Sequence, residues 1–308
     1  MKITIMGVGH VGTTLAYNLM LRGLADHLVL VNRTMTKAQA EASDLQHAAA
    51  FASKPVRITA GDIQDTADSQ IIVLTLSVPV EKHFRSRNDL ARGNASLFAQ
   101  VVPQLVSLSP EAIFIVVSNP VEVMTTLTMR YGNLPASRVI GTGTLIDSAR
   151  YRSLLSNHLQ VHPDDIRAYI FGEHGETQFP ALSIAATGGE RMDDDPIVVE
   201  LFEKALASGE QVFRLKGYTN YAIASATSMI VEGIVMDSHR TIPVSAWIDG
   251  YEQVHSVCLS VPAIIGRRGV VKLLQPKLTY AEGEKFRHSA RQVQSVLDTL
   301  EQVDASSR

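Results

Sequence analysis

Asp147 and His174, the latter within Gly172-Glu173-His174-Gly175-Glu176, form a pair of residue types suited to proton transfer. An imidazole exchanges a proton near neutral pH, and a carboxylate partner can orient the ring for that task. A glycine-rich turn near the amino terminus, Gly7–Gly12, independently indicates dinucleotide binding. A proton shuttle beside a dinucleotide predicts hydride transfer, as in alcohol and hydroxy-acid dehydrogenases.

The glycine-rich turn has the G-x-G-x-x-G spacing and stands between an apolar run at Lys2–Met6 and a helical pattern at Val11–Arg22. The first glycine permits a tight turn, the second lets the backbone approach a pyrophosphate, and the third allows helix and strand to pack closely. The amino-terminal end of the following helix also attracts phosphate. The predicted cofactor-binding residues of the turn are Gly7, Gly9, His10, Val11 and Gly12.

The end of the second predicted strand bears on which dinucleotide binds. NAD-preferring proteins have an acidic residue there that binds the adenine ribose, whereas this chain has Asn32 followed by Arg33. Asn32 can accept a hydrogen bond from a ribose hydroxyl, but it carries no charge that would repel a 2′-phosphate. Arg33 has two alternative interpretations, because a guanidinium can pair with a 2′-phosphate or stack on adenine. NAD is the expected cofactor, and Asn32-Arg33 leaves NADP open.

The remaining patterns predict an α/β fold. Apolar runs alternate with helical patterns through the first half, which is typical of a parallel sheet covered on both faces. After about Gly143 long helices mix with β-rich segments. We therefore predict a Rossmann-type doubly wound parallel sheet at residues 1–143 and an α+β substrate domain at 144–308, with a cleft between them. The predicted strands are Lys2–Met6, Leu28–Val31, Ile71–Leu76 and Ile113–Val117, the predicted helices are Val11–Arg22, Met35–Ala50, Leu90–Leu108, Ser148–Leu159, Pro196–Phe213, Thr219–Met236 and one from Tyr280, and Ile242–Val261 is β-rich.

The composition argues against a nucleic-acid-binding protein, a disulfide-stabilised protein and a membrane protein. A formal net charge of -3 over 308 residues gives no basic field that would attract nucleic acid. The single cysteine, Cys258, cannot form an intrachain disulfide, and its apolar neighbours favour a core position. The apolar run at the amino terminus is too short for a signal peptide or a membrane span. We expect a cytoplasmic protein with neither nucleic acid nor membrane as a partner.

Three further stretches carry a resemblance to a known family: Val117-Ser118-Asn119-Pro120, GTGTLIDSAR at residues 141–150, and Gly172-Glu173-His174-Gly175. Their order and spacing resemble the L-lactate/malate dehydrogenase superfamily. GTGTLIDSAR, together with Lys216–Thr219 and Pro262–Arg267, is most similar to the L-2-hydroxyisocaproate dehydrogenase-like branch of its lactate dehydrogenases. The resemblance covers nearly the whole chain and implies a reversible dehydrogenase for 2-oxo and L-2-hydroxy acids.

The resemblance also implies roles for individual residues. His174 is the acid/base that takes and returns the hydroxyl proton, and Asp147 holds its tautomer and stabilises the imidazolium. Arg150, on the same helical face as Asp147, makes a forked contact with the substrate carboxylate. Three more residues surround the reacting atoms: Asn119 contacts substrate and the nicotinamide end, Thr219 lines the substrate pocket, and Ile223 lies on one face of the nicotinamide ring.

Thr75–Leu90 occupies the place of the family's mobile loop, which closes over substrate and brings an arginine to polarise the carbonyl. Arg87 is implied in that catalytic and substrate-binding role, and Arg85 is its rival. Malate-type enzymes hold the second carboxylate with another arginine in this loop. Here Glu81 would repel a second carboxylate and Lys82 would attract one, so we expect a monocarboxylic substrate and keep malate dehydrogenase as the alternative.

Two other classes of protein compete with this interpretation. An NAD-dependent glycosidase needs a metal-binding Cys/His set, for which the chain offers only Cys258, and we expect no metal. A non-catalytic dinucleotide sensor would not need the complete set of Asp147, Arg150 and His174.

The resemblance also bears on regulation and assembly. Arg152 and Arg167 stand where some bacterial lactate dehydrogenases bind a sugar bisphosphate, although the histidine of that site is missing. The family implies a homodimer or homotetramer, and we expect the apolar segment Tyr221–Met236 to supply part of an interface.

Overall fold

The computed structural model describes residues 1–79, 87–192 and 196–306, and at 87–89 and 303–306 it describes only the backbone. In the first half of the chain, strands alternate with helices. The strands are β1 (Lys2–Met6), β2 (His27–Val31), β3 (Arg57–Gly61), β4 (Ile71–Leu74), β5 (Ile113–Val116) and β6 (Val139–Gly141). The helices are α1 (His10–Leu21), α2 (Met35–Ala48), α3 (Arg87–Leu108), α4 (Val121–Gly132) and α5 (Leu145–Leu159).

The second half mixes short strands, long helices and a long antiparallel hairpin. Its strands are β7 (Ile166–Arg167), β8 (Ile170–Phe171), β9 (Phe179–Pro180), β10 (Ala186–Thr187), β11 (Glu190–Arg191), β12 (Arg240–Asp249), β13 (His255–Gly266) and β14 (Gly269–Leu273). Its helices are α6 (Pro196–Lys216), α7 (Tyr221–Val235) and α8 (Tyr280–Ser306).

One large sheet runs through both halves, in the order β14-β13-β12-β6-β5-β4-β1-β2-β3. The six strands of the first half are parallel to their neighbours, in the doubly wound order 3-2-1-4-5-6. The strands β12 to β14 continue the sheet antiparallel, and β12 joins β6 through Ser245 and Gly141. The predicted fold class is confirmed, and the second half extends the Rossmann-type sheet.

The continuous apolar runs reflect burial on both faces of this sheet. In β4, Ile71 and Val73 belong to the core beneath α1, α2 and α7, while Ile72 and Leu74 belong to the core beneath α3, α4 and α8. Each such side chain contributes about 1.5–3 kcal/mol when it leaves water. This two-sided packing fixes the carboxyl ends of the parallel strands, where ligands bind in open α/β sheets.

Sequence patterns missed three elements of the first half: β3, α4 and β6. The strand β3 is at the sheet edge and contains exposed and half-buried residues, so it lacks an uninterrupted apolar run. The helix α4 contains three buried threonines whose hydroxyls donate to carbonyls four residues earlier. Because threonine is a weak helix former, this segment gives little helical signal.

Tyr221–Met236, the segment expected to supply an interface, packs mainly against the core of its own chain. It forms α7, and most of its apolar side chains are buried in the core beside α1. The large apolar side chains that it leaves exposed are those of Tyr221 and Met236. Among the described residues, the helices include none with the length and apolar character needed to cross a membrane.

Candidate active site

The structure brings Asp147 and His174 together. Asp147 is buried in the first turn of α5, and its Oδ2 atom lies 2.5 Å from Nδ1 of His174. With Nδ1 engaged, Nε2 is the ring nitrogen left to exchange a proton with a substrate. The His174 side chain is 30% exposed, so the ring remains accessible from the cavities beside it.

Arg150 joins this pair from one turn further along α5. Its Nη1 atom donates to Oδ1 of Asp147 at 3.1 Å, so the two oxygens of one carboxylate serve two different partners. The guanidinium lies against α6 at Gly209, where a Cβ atom would come within 2.8 Å of Nη1. The absence of a side chain at Gly209 therefore makes room for Arg150.

A cavity of about 590 Å³ opens in front of these groups. Arg150, His174 and Thr219 line it together, with Gly209 and Phe213 on the α6 side. A guanidinium able to bind a carboxylate and a ring able to exchange a proton thus share one cavity. This is the arrangement that a small 2-oxo or 2-hydroxy acid requires.

The charge of His174 is set by opposing influences. Burial lowers the pKa of His174, but the carboxylates of Asp147 and Glu122 raise it, and the result lies above the usual value. Arg150 acts in the lowering direction. The negative neighbours therefore favour the imidazolium, the form that can donate a proton.

A second cavity, of about 700 Å³, lies on another side of His174 and contains Asn119. The backbone carbonyl of Asn119 accepts a hydrogen bond from Nδ2 of Asn94 at 2.7 Å. Oδ1 of Asn94 also accepts from the backbone N–H of Val78 at 2.8 Å. Asn94 therefore connects the Asn119 segment to Val78, within the stretch Thr75–Leu90.

Two residues that stabilise this region were not predicted from the sequence. Glu122 is a buried carboxyl in the first turn of α4, and it lines the cavity with His174. Ser289 of α8 accepts the backbone N–H of Glu173 at 2.7 Å, next to His174. Glu122 lies among apolar residues at the start of α4, and that contrast was its available signal, whereas Ser289 lies in the polar stretch Lys285–Arg291 and gave none.

The glycine-rich turn lies between β1 and α1. Gly7 has a φ of +107°, and a Cβ at Gly12 would come within 2.0 Å of the Gly7 carbonyl oxygen. The backbone at Gly9 faces open space, and no side chain caps the first turn of α1. The free N–H groups at this helix end suit a pyrophosphate, so the turn fits a dinucleotide.

The first turn of α1 contacts the segment that carries Thr219. The ring of His10 stacks on Tyr218, with centroids 3.8 Å apart and planes at 5°, while Val11 is partly buried against the core. The Nζ atom of Lys216 lies 4.6 Å from the centroid of the Tyr218 ring. The glycine-rich turn and the cavity lined by Thr219 are therefore neighbours.

Asn32 and Arg33 follow β2 at the same edge of the sheet. The backbone N–H of Gly7 donates to the carbonyl of Val31 at 2.8 Å, which brings the end of β2 beside the turn. Nδ2 of Asn32 donates to the carbonyl of Thr34 at 3.3 Å, which leaves Oδ1 to accept from a ribose hydroxyl. Arg33 is exposed.

Ile223 and Arg87 each lie at the start of a helix. Ile223 lies in the first turn of α7, partly buried and packed against the core. The backbone of Arg87 begins α3, but its side chain is outside the described residues, as are Glu81, Lys82 and Arg85.

Arg152 and Arg167 share a separate cavity of about 420 Å³. Arg240 adds a third guanidinium to its lining, and Asp164 and Asp165 add two carboxylates.

Within residues 1–79, 87–192 and 196–306, no group of three or more histidine, cysteine or acidic side chains is placed to hold a metal ion. Cys258 is buried in β13, and burial raises the pKa of its thiol to about 12. Such a thiol is a core group and a poor metal ligand, because metals bind the thiolate.

Comparisons with known sequences cover nearly the whole chain. Residues 1–141 match the lactate/malate dehydrogenase NAD binding domain, and residues 144–303 match the lactate/malate dehydrogenase alpha/beta C-terminal domain. An L-lactate dehydrogenase of Thermoanaerobacter pseudethanolicus is 37% identical and covers 97% of this chain and 99% of its own length. One from Acetivibrio thermocellus is 36% identical, with 97% of each chain covered.

The chain is also similar to solved structures of lactate dehydrogenases. A lactate dehydrogenase from a Medee basin deep-sea metagenome library superposes with a TM-score of 0.93 at 30% identity, covering 97% of this chain and 98% of its own. The minor L-lactate dehydrogenase of Enterococcus mundtii, in a ligand-bound form, gives a TM-score of 0.92 at 33% identity with the same coverage.

Proposed function

The chain belongs to the lactate/malate dehydrogenase family, and we propose that it is an NAD-dependent L-2-hydroxy acid dehydrogenase of the lactate type. It transfers a hydride reversibly between a nicotinamide dinucleotide and a 2-oxo or L-2-hydroxy monocarboxylic acid. The observation that carries this function is the shared carboxylate of Asp147, which bonds both His174 and Arg150 at the wall of one cavity.

The chain's own residues account for binding and proton transfer. Arg150 binds the substrate carboxylate with the guanidinium N–H groups that Asp147 does not use. In oxidation, Nε2 of His174 accepts the hydroxyl proton, and Asp147 stabilises the imidazolium that forms. In reduction, the same nitrogen returns the proton to the carbonyl oxygen. When bound, the dinucleotide accepts or supplies the hydride.

Further roles belong to the residues around the reacting centre. We assign Asn119 to the substrate and the nicotinamide end, Thr219 to the substrate pocket and Ile223 to one face of the nicotinamide ring. The family resemblance supports Arg87 as the group that polarises the substrate carbonyl. Thr219 lines the cavity of Arg150, and Asn119 lines the other cavity beside His174, which supports their assignments.

The cofactor is NAD, and we propose that the enzyme also accepts NADP. The free Oδ1 of Asn32 suits a ribose hydroxyl, while neither Asn32 nor its neighbour Arg33 repels a 2′-phosphate. The exposed guanidinium of Arg33 is available to either cofactor, through a 2′-phosphate or through adenine.

The substrate is a monocarboxylic acid of the lactate type, and the malate alternative is not favoured by relatives that carry the L-lactate dehydrogenase name. We propose a cytoplasmic homodimer or homotetramer. Sedimentation velocity of the purified chain tests the assembly, and a monomer would contradict it.

One assay tests the function. Nicotinamide absorbance is followed with NADH and NADPH against pyruvate, 2-oxoisocaproate, phenylpyruvate and oxaloacetate. We expect pyruvate or a branched 2-oxo acid to exceed oxaloacetate in kcat/KM. Faster oxaloacetate turnover would favour a malate dehydrogenase, and no turnover of any 2-oxo acid would overturn the proposal.

A further inference from the structure

Glu122 is a buried carboxyl beside the proton-transfer histidine that the mechanism above does not use. It is 2% exposed in the first turn of α4, and it lines the same cavity as His174. A carboxyl in such a position requires partners, because an isolated buried charge is strongly unfavourable.

One hydrogen-bond partner of the Glu122 carboxyl is Ser260 of β13. The hydroxyl of Ser260 donates to Oε1 of Glu122 at 3.2 Å and accepts the backbone N–H of Thr144 at 3.0 Å. The backbone of Ser260 exchanges two hydrogen bonds with Gly172, at 2.9 and 3.2 Å.

Ser260 thereby connects the three segments that carry the active site. Thr144 precedes the helix of Asp147 and Arg150, Gly172 stands two residues before His174, and Glu122 stands three residues after Asn119. A change at the Glu122 carboxyl can therefore shift the backbone segments that position Asp147, Arg150 and His174.

Glu122 and His174 also interact through charge. Burial raises the pKa of Glu122 to about 7, and the His174 side chain and backbone oppose that rise. Reciprocally, Glu122 acts with Asp147 to raise the pKa of His174. The Glu122 carboxylate and the His174 imidazolium therefore stabilise each other's charged form.

Other titratable groups face this pair from the surrounding elements. Glu173 repels the Glu122 carboxylate, and the thiol of Cys258 in β13 remains protonated beside it. The positive charge of Arg150 in α5 lowers the pKa of His174. His288 of α8 lines the cavity that contains His174 and Glu122.

We propose that Glu122 is a positioning residue that gives the His174 imidazolium a second negative neighbour besides Asp147 and fixes that neighbour through Ser260. This inference rests on the proposed dehydrogenase function. Above neutral pH, ionised Glu122 keeps His174 protonated and so extends the pH range in which the enzyme can reduce a 2-oxo acid. Below neutral pH, Glu122 takes up a proton, and His174 is charged without its help.

The test is the Glu122→Gln variant, because the amide oxygen can still accept from Ser260 while the charge is removed. We expect the alkaline limb of kcat/KM for 2-oxo acid reduction to move to lower pH. The ratio of kcat/KM at pH 8.5 to that at pH 6 should fall about threefold or more relative to wild type. Glu122→Asp retains the charge and should restore most of the ratio.

Glu282→Gln is the matched control. Glu282 is also buried and hydrogen-bonded, but its partners are Ser183 and Thr279, and it is not among the groups that shift the pKa of His174. We expect its pH profile to match wild type. A purely structural role for Glu122 would lower kcat at every pH and leave the midpoint in place, which would overturn the proposal.

Two measurements complete the experiment. Thermal unfolding at pH 8 should give Glu122→Gln a Tm no lower than wild type, because the variant no longer ionises a buried carboxyl. NMR titration of the His174 ring, assigned with His174→Asn, should show a lower pKa in Glu122→Gln. An unchanged ring titration would overturn the inference even if the wild-type enzyme reduces 2-oxo acids. Absence of 2-oxo acid turnover in wild type would overturn only the proposed function.

Discussion

Oδ2 of Asp147 lies 2.5 Å from Nδ1 of His174. The other oxygen of the same carboxylate accepts from Arg150 at 3.1 Å. One buried residue therefore orients both the group that we propose exchanges the proton and the group that we propose holds the substrate carboxylate. Binding and chemistry are coupled at Asp147, since a shift of its carboxylate displaces both.

Asp147→Asn should remove the negative charge while it preserves the size of the side chain. The imidazolium then loses its principal partner, so we expect kcat/KM for 2-oxo acid reduction to fall on the order of 100-fold or more. Steady-state kinetics at constant pH provide the measurement. Asp249→Asn is the control, because Asp249 forms an exposed pair with His255 at 2.7 Å. A similar loss in both variants would contradict the assignment.

The pH dependence of the two directions should be opposite. Asp147 and Glu122 outweigh burial and raise the pKa of His174 above its usual value. Reduction needs the imidazolium, so its kcat/KM should fall as pH rises through that pKa. Oxidation needs the neutral ring, so its kcat/KM should fall as pH decreases through the same pKa. Profiles measured from pH 5.5 to 9.5 test this, and limbs with the reverse order would exclude His174 as the acid/base.

Gly209→Ala should affect substrate binding and stability in opposite directions. The added methyl would lie 2.8 Å from Nη1 of Arg150, so the guanidinium must shift. Loss of a charge-assisted hydrogen bond should raise KM for the 2-oxo acid about tenfold. Alanine within a helix should meanwhile raise the unfolding free energy by roughly 0.5 kcal/mol. Ser208→Ala, one residue earlier in α6, is the control, and an unchanged KM with a raised Tm would refute the steric argument.

The sequence predicted the elements that carry a strong apolar pattern and the motifs that lie between them. The strands β1, β4 and β5 begin where expected, because alternate residues enter two cores and the run stays apolar. The family stretches predicted that Asp147 orients His174, and the two side chains are in contact. They also predicted Thr219 in the substrate pocket, and Thr219 lines the cavity that contains Arg150.

Other features were hidden because they depend on contacts that no local pattern encodes. Gly209 is an ordinary helical glycine until α6 packs on Arg150. The bond from Ser260 to Glu122 spans 138 residues of sequence, and neither residue lies in a motif that would connect them. The antiparallel continuation of the sheet also depends on a single distant pairing, Ser245 with Gly141.

The cavity of Arg152, Arg167 and Arg240 offers a test of anion binding. Three guanidiniums outnumber the carboxylates of Asp164 and Asp165 in its lining. We expect a sugar bisphosphate in large excess over its Kd to raise the Tm by a few degrees through selective binding to the folded chain. Arg167→Ala should abolish the shift, whereas Arg57→Ala, an exposed arginine of β3, should retain it. If the sugar bisphosphate leaves the Tm of the wild-type protein unchanged, this cavity does not bind the anion.

The choice of dinucleotide should respond to a single substitution at the end of β2. Asn32→Asp places a negative charge where a 2′-phosphate would bind, while its oxygens still accept from a ribose hydroxyl. We expect the ratio of kcat/KM for NADH to that for NADPH to rise about tenfold or more, which corresponds to roughly 1.4 kcal/mol of discrimination. Arg33→Ala should raise the same ratio if the guanidinium pairs with a 2′-phosphate, and should weaken both cofactors equally if it stacks on adenine. Arg57→Ala, at the opposite end of the parallel strands, serves as the control because β3 begins there. A ratio that stays constant in Asn32→Asp would show that the end of β2 does not discriminate between the two cofactors.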